Sequence, residues 1–203
     1  MTVEVGTSLR RVRAVFTEST VTVYQAYPLE IAAPAVAVGT LVPPFQVGRI
    51  TWLKPSFLWT MHRSGWATKP GREHLLAIEI TREGFDWALA NSVLNSFEPG
   101  THDSIEDWEA WKQDSKVRVQ WVSERSLNLA PVPYRSIQVG LIGEAAHKYV
   151  DEWITSITDM TKTAHQIRDL VAAGNRSAAG ELIPVERHYE LPEAVQRRIG
   201  MTV

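Results

Sequence analysis

Residues 50–66 read ITWLKPSFLWTMHRSGW, a stretch that predicts a short helix with two chemically different sides. Pro55 suits the first turn of an α-helix, where its fixed φ and missing N–H are tolerated, and Gly65 suits the end of that helix. At helical spacing, one side is apolar and the other is aromatic and basic. The apolar side carries Phe57, Leu58, Met61 and Gly65, whereas the other side carries Trp59, His62, Arg63 and Trp66.

The predicted helix lies in a part of the chain that contains no acidic residue. No Asp or Glu occurs between Glu30 and Glu73, a gap of 42 residues, although the whole chain has a formal net charge of −2. The gap holds Arg49, Lys54, His62, Arg63, Lys69 and Arg72. Two interpretations stay open: the groups converge into a positive concavity that favours an anionic ligand, or they are ordinary solvated charges.

Strand and helix patterns follow each other along the chain in an order typical of an α+β fold. Alternating strand patterns occupy residues 11–16, 20–27, 75–81, 117–122 and 134–141. Helices are predicted between the strands, and from Glu144 the pattern turns helical. We expect a mainly antiparallel sheet with inserted helices and a C-terminal helical hairpin. The predicted organisation is a flexible N-terminus (1–9) and a single α+β domain (10–203) whose part from 144 to 203 is helical.

Composition excludes several classes of protein. The chain has no cysteine, so disulfides, thiolate metal sites and a cysteine nucleophile are excluded. No apolar run approaches the roughly 20 residues that a membrane span needs. The first residues lack the apolar stretch of a secretory signal, so we expect a cytoplasmic protein without a membrane partner. Neither a Walker motif nor a Gly-x-Gly-x-x-Gly loop occurs, so P-loop chemistry and a standard dinucleotide fold are not expected. No pair of histidines has the helical spacing of a zinc site, so no metal is expected.

Two polar residues interrupt the apolar rows of predicted strands. Gln25 shares its side of the strand with Val21 and Val23, and Arg135 shares its side with Ile137 and Val139. A polar side chain in such a row must be hydrogen-bonded or must open into a cavity. Arg135 additionally needs an anionic partner or water, because a guanidinium does not lose its proton. Two interpretations of Arg135 stay equally open: it pairs with a buried carboxylate at a strand edge, or it binds an anionic ligand.

Basic and aromatic residues without carboxylates suit a ligand of nucleotide type. Arginines bind phosphate oxygens, and aromatic rings stack on bases. A glycosidase site is disfavoured, since it would need a pair of carboxylates. The candidate set is Arg13, Tyr24, Lys54, Ser56, Trp59, His62, Arg63, Trp66, Gln120 and Trp121. Core packing is the alternative role for the tryptophans.

Several runs of the sequence together resemble a bacterial and fungal family called domain of unknown function 4291. They are VYQAY (23–27), ITWLKPSFLWTMHRSGWA (50–67), REGFDWAL (82–89), VRVQW (117–121), YRSIQVGL (134–141) and VDEWI (150–154). The resemblance spans roughly residues 10–200 and implies one compact domain. It implies no particular activity.

The site chemistry also resembles that of RNA 2′-phosphotransferases, a branch of the ADP-ribosyltransferases that uses arginines and a histidine. Arg13, His62, Arg63 and Arg135 occur here in a similar order. This looser resemblance implies an ADP-ribosyltransferase-like fold and NAD as the cofactor.

The leading hypothesis is therefore an enzyme that binds NAD or a similar anionic nucleotide and transfers an ADP-ribosyl or related group to nucleic acid or a nucleotide. The predicted catalytic residues are His62, Arg63, Arg135 and Gln25, and the predicted cofactor-binding residues are Arg13, Tyr24, Lys54, Ser56, Trp59 and Trp66. Two alternatives stay open. One is a non-catalytic module that binds RNA or single-stranded nucleic acid, and the other is a protein-interaction domain, with oligomerisation possible in either case.

Overall fold

The computed structural model describes residues 9–202 and contains two five-stranded sheets with helices packed around them. The strands are β1 (Leu9–Arg10), β2 (Arg13–Phe16), β3 (Thr20–Tyr27), β4 (Thr51–Leu53), β5 (His74–Thr81), β6 (Ser92–Leu94), β7 (Val117–Arg125), β8 (Pro131–Leu141), β9 (Ile154–Asp159) and β10 (Arg187–His188). The helices are α1 (Leu29–Val38), α2 (Phe57–Ser64), α3 (Arg82–Ala90), α4 (Ile105–Asp114), α5 (Glu144–Lys148), α6 (Thr161–Ala172), α7 (Arg176–Leu182) and α8 (Glu193–Arg198). None of the described helices is long and apolar enough to cross a bilayer.

The first sheet is antiparallel throughout, in the order β10-β2-β3-β5-β9. Its long central strands β3 and β5 pair over their full lengths, from Thr20 opposite Thr81 to Tyr27 opposite His74. β3 is rich in β-branched residues, as expected for a strand, and its five successive residues from Val21 to Gln25 are buried, so both of its sides are covered.

The second sheet is mixed and is built around β8. Its order is β1-β8-β7-β6, and β4 pairs with the last residues of β8. β7 and β8 are antiparallel, whereas β1 runs parallel to β8 and β6 runs parallel to β7. Antiparallel pairing therefore predominates in the molecule, and the fold is α+β.

The two sheets share one hydrophobic core and one direct backbone link. Val23 of the first sheet and Val139 of the second belong to the same cluster of fully buried side chains. Tyr24 in β3 donates its backbone N–H to the carbonyl of Lys54, which follows β4, at 2.7 Å. This link fixes the start of the Pro55–Gly65 segment against the first sheet.

The C-terminal part differs from the predicted run of helices. The helical pattern that begins at Glu144 ends in a π-helical turn, Tyr149–Trp153, and strand β9 follows it. The β-branched sequence of β9 pairs with β5, where Ile157 lies opposite Ile78, and this pairing outweighs the helical spacing. The predicted helical hairpin is present as α6 and α7. The predicted flexible segment lies outside the described residues, except for Leu9, which begins β1.

Candidate functional site

Helix α2 ends at Gly65 as the sequence predicts, but it begins at Phe57, so Pro55 precedes the N-cap instead of lying in the first turn. Ser56 is its N-cap, and the Ser56 Oγ accepts a hydrogen bond from the Trp59 backbone N–H at 3.1 Å. Gly65 ends the helix at φ +61, a left-handed conformation that glycine adopts without strain. Trp66 and Ala67 continue with positive φ, and the buried Ser64 side chain holds this turn by accepting the Ala67 N–H at 3.1 Å.

A cavity of about 450 Å³ lies beside α2, and elements of both sheets line it. Ala26 comes from β3 of the antiparallel sheet, whereas Gln120 and Gln138 come from β7 and β8 of the mixed sheet. Trp59 and Arg63 come from α2. This volume falls within the range of about 300–1,000 Å³ that is typical of small-molecule sites. We call it the basic cavity.

Three cations line the basic cavity, and none of its lining residues is a carboxylate. They are Lys54, Arg63 and Arg72. Burial, with smaller contributions from the positive charges of Arg63 and Arg72, lowers the pKa of Lys54 to about 8. The cavity therefore concentrates positive potential in a molecule whose net charge is −2.

A chain of hydrogen-bonded polar groups also lines the basic cavity. The Trp59 Nε1–H donates to the Gln138 Oε1 at 3.2 Å, and the Gln138 amide donates to the Gln120 Oε1 at 2.7 Å. Gln138 and Gln120 lie directly opposite each other in the β7–β8 ladder, so the pairing register creates this contact. The chain fixes the Trp59 ring and presents amide groups to the cavity.

His62 lies beside the cavity rather than among its lining residues. Its ring centre is 5.3 Å from that of Trp59, and the Arg125 guanidinium lies 5.4 Å from the centre of the Trp59 ring. Burial, followed by the positive charges of Arg125, Lys69 and Arg63, lowers the pKa of His62. The imidazole is therefore mainly neutral at pH 7 and is able to accept a proton.

A second cavity of about 420 Å³ adjoins the first and shares Ala26, Trp52 and Lys54 with it. Its remaining wall is mostly apolar and aromatic, and it also contains Arg49. Gln25 lines this cavity while donating to the Trp52 carbonyl at 3.1 Å and accepting from the Tyr149 hydroxyl at 2.8 Å. Gln25 is thus buried and hydrogen-bonded, as its strand position requires.

A third, smaller cavity of about 170 Å³ contains Arg13 and Ser56. The Arg13 guanidinium lies 4.7 Å from the centre of the Tyr134 ring. Unlike the basic cavity, this one also has two carboxylates in its wall, Glu124 and Glu186. The third cavity is therefore not a site free of carboxylates, unlike the cavity lined by Lys54, Arg63 and Arg72.

The structure brings together only some of the residues that the sequence proposes for one site. Lys54, Trp59, Arg63 and Gln120 line the basic cavity. Arg135 does not join them, because strand alternation places it on the side of β8 that carries Ile137 and Val139, away from Gln138. Residues that contribute elsewhere are His62 beside Trp59, Gln25 in the adjoining cavity, Arg13 and Ser56 in the third cavity, and Trp121, whose Nε1–H donates to the Ile199 carbonyl.

Two predicted ring-stacking residues are part of the core instead. Tyr24 and Trp66 belong to a buried cluster under α2 and are 1% and 9% exposed. Tyr24 packs edge-on against Phe57, at 5.4 Å between ring centres. Trp66 follows the left-handed Gly65, so the chain has already left the helical register that would have kept Trp66 beside Trp59.

The lining residues that were not among the sequence candidates include Arg72, Gln138 and Trp52. Arg72 is the last basic residue of the acid-free stretch, so the charge pattern already contained its signal. Its Nη1 donates to the Arg63 carbonyl at 2.9 Å, which ties the loop before β5 to the end of α2. Gln138 could be found only by combining strand alternation with the β7–β8 register. Trp52 carries no comparable signal.

The chain belongs to the family described as domain of unknown function DUF4291, whose model matches residues 11–189. No curated protein and no solved structure matches the chain. Within residues 9–202, no group of three or more His, Asp or Glu side chains is arranged to hold a metal ion.

Proposed function

We propose that the protein is an enzyme that binds a nucleotide-type phosphorylated ligand in the basic cavity. One observation carries the proposal: Lys54, Arg63 and Arg72 converge on a cavity whose lining contains no carboxylate. Guanidinium groups in a concave site without carboxylates favour phosphate oxygens, which they are able to bind through two parallel hydrogen bonds. The acid-free stretch of the sequence supplies all three cations.

The other walls suit the rest of a nucleotide. The Trp59 ring is held by Gln138 and Arg125, so it offers a fixed aromatic surface. The amides of Gln120 and Gln138 match the polar edge of a base or the hydroxyls of a ribose. In this proposal His62 accepts or donates a proton at the cavity rim.

NAD is the proposed form of this ligand because two cavities share a wall. The basic cavity would take a phosphate-bearing half, and the adjoining cavity, with its aromatic wall and Arg49, would take the other half. The proposed reaction is transfer of an ADP-ribosyl or related group to a nucleotide or nucleic acid, in the cytoplasm. Arg13 and Arg135 have no part in this version of the site, so the phosphate clamp consists of Lys54, Arg63 and Arg72.

Ligand-dependent thermal stabilisation tests the binding proposal. AMP, ADP-ribose, NAD and short RNAs are compared at one salt concentration with the wild type and three single variants. We expect Arg63→Ala to weaken binding about 10–100-fold, the effect of losing a charged hydrogen-bonding partner. Its backbone carbonyl still accepts from Arg72, so the variant is expected to fold.

Two arginine variants serve as controls. Arg135→Ala removes a charge from the opposite side of β8, and Arg176→Ala removes an exposed charge from α7, which contributes nothing to the cavity. Both should retain the ligand-induced shift. An unchanged shift in Arg63→Ala, or equal losses in all three variants, would contradict the proposed site.

The transfer reaction needs its own test. The wild type is incubated with labelled NAD and RNA, and the RNA is then analysed by mass. An ADP-ribosyl adduct on the RNA supports transfer. Salt-sensitive RNA retention without any adduct would instead support a non-catalytic nucleic-acid-binding module.

A further inference from the structure

Lys54 occupies an unusual position, at the wall between the two large cavities. It is the only lysine in the lining of either cavity, and both cavities include it. The one hydrogen bond of its ammonium group within the described chain goes to the Trp52 carbonyl at 3.3 Å. No carboxylate holds the amine in its charged form, unlike Lys148, which lies 3.9 Å from both Glu144 and Glu152.

We propose that Lys54 is an amine nucleophile that forms an imine with the aldehyde or ketone carbonyl of a phosphorylated ligand, an inference that rests on the proposed function. The geometry supplies the two requirements of such a site. Arg63 and Arg72 would anchor the phosphate, and the Lys54 Nζ would meet the carbonyl carbon in the same cavity.

The surroundings of Lys54 also make its amine available. Burial and the charges of Arg63 and Arg72 lower its pKa to about 8. At pH 8 the fraction of free amine is therefore roughly a hundredfold larger than for an ordinary lysine. The other charged groups that line the two cavities with Lys54 are Arg49, Arg63 and Arg72, whereas Glu186, whose pKa is also raised to about 8, lines the third cavity.

The proposed step is balanced without any further reactant. The Nζ lone pair attacks the carbonyl carbon, the electron pair of the C=O bond moves to oxygen, and a proton passes from the nitrogen to that oxygen. The resulting carbinolamine loses water, and a C=N bond forms between Nζ and carbon. Hydrolysis by water reverses the step.

Imine formation selects phosphorylated compounds with a free carbonyl, whereas a nucleotide without one, such as NAD, would bind in the same cavities without reacting with Lys54. A sugar phosphate with a free anomeric carbon meets this description through its open-chain aldehyde. ADP-ribose is such a compound, whereas AMP and NAD are not, because their anomeric carbons are bonded to nitrogen. AMP therefore tests phosphate binding alone, and ADP-ribose tests binding together with imine formation.

Reductive trapping followed by peptide mapping tests the inference. The intact wild type is incubated at pH 8 with ribose 5-phosphate or ADP-ribose and sodium cyanoborohydride, and separately with pyridoxal 5′-phosphate and sodium borohydride. The chain has six lysines, so Lys69, Lys112, Lys116, Lys148 and Lys162 serve as internal controls. We expect at least tenfold more modification at Lys54 than at any of these, and we expect excess AMP to suppress it.

Lys54→Arg, which keeps the charge but cannot form the imine, should lose the adduct. Mapping of the wild type needs no variant, so the test stands even if Lys54→Arg fails to fold. Arg63-dependent stabilisation by AMP without preferential trapping at Lys54 would overturn the imine and leave the proposed function intact. The absence of both AMP stabilisation and trapping would overturn both.

Discussion

At the scale of single residues, Glu186 shows how burial sets the charge state of a carboxyl group. Its Oε1 accepts the Phe57 backbone N–H at 2.7 Å, at the start of α2. Burial is the main cause that raises the pKa of Glu186 to about 8. The hydrogen bond from the Phe57 N–H and the charge of Arg13 lower this pKa, whereas the charge of Glu124 contributes to the increase. The carboxyl is therefore largely protonated at pH 7 in the folded chain.

This raised pKa predicts how stability depends on pH. The folded state keeps the Glu186 proton up to about pH 8, whereas the unfolded chain loses it near pH 4.5. The contribution of the Glu186 carboxyl group to the stability of the folded state is thus fully present below pH 4.5 and is lost as the pH rises toward 8. Glu186→Gln keeps an oxygen for the Phe57 N–H but does not titrate.

We expect the difference in Tm between Glu186→Gln and the wild type to grow from pH 4.5 to 8, in favour of the variant, and then to level off. Each kcal/mol moves the Tm of a chain of this size by about 2–4 °C. Glu190→Gln, at an exposed residue, is the control. A constant difference across this pH range would show that Glu186 is ionised in the folded protein.

The residues also show which parts of the site could be predicted from the sequence. The caps at Ser56 and Gly65 and the burial of Gln25 follow from local rules that act over a few residues. Whether side chains from distant parts of the sequence meet in one cavity does not follow from local rules. Arg63 and Arg135 have equally favourable sequence contexts, yet only the fold determines that one lines the cavity and the other lies on the opposite side of β8.

At the scale of elements, the contact between α3 and the π-helical turn depends on one glycine. A Cβ atom at Gly84 would lie 2.4 Å from the Trp153 ring, which is 6% exposed and packs against Trp87. Glycine is a poor helix former, so its place in α3 is explained by this close approach. The Trp153 ring belongs to the hydrophobic core that the two sheets share.

We therefore expect two glycine substitutions to have opposite effects on the free energy of unfolding. Gly84→Ala should destabilise the protein by about 1–3 kcal/mol, since the buried Trp153 ring has to move. Gly180→Ala in α7 meets nothing within 4 Å and should stabilise by about 0.5–1 kcal/mol through helix propensity. Urea denaturation of both variants measures the two changes. Stabilisation by Gly84→Ala would contradict the packing described for Trp153.

The same region explains why one element was predicted incorrectly. Apolar residues from Ala146 to Ile157 follow helical spacing, but this local spacing does not show that β5 lies beside the segment as a pairing partner. β5 needs a neighbour at its free edge, and the β-branched residues after Trp153 supply it. β3 has its predicted bounds, because its β-branched and aromatic composition agrees with its place at the centre of the sheet.

At the scale of the whole molecule, the basic cavity joins the two sheets. Ala26 belongs to the antiparallel sheet, Gln120 and Gln138 belong to the mixed sheet, and Arg63 lies on the helix between them. The sheets also share one core cluster. Neither sheet can therefore unfold without exposing buried apolar side chains of the other.

This architecture predicts one cooperative unfolding transition for the full chain. Far-UV circular dichroism, which reports on all elements, and tryptophan fluorescence, which includes Trp59 at the cavity, should give the same midpoint in urea. A ligand at 100 times its Kd should raise both midpoints equally, by a free energy of about 2.7 kcal/mol. Arg135→Ala should show the same ligand-induced increase, because its side chain lies outside the cavity. Separate midpoints for the two probes, or a ligand effect on fluorescence alone, would mean that the sheets unfold independently and that the cavity is formed by one of them.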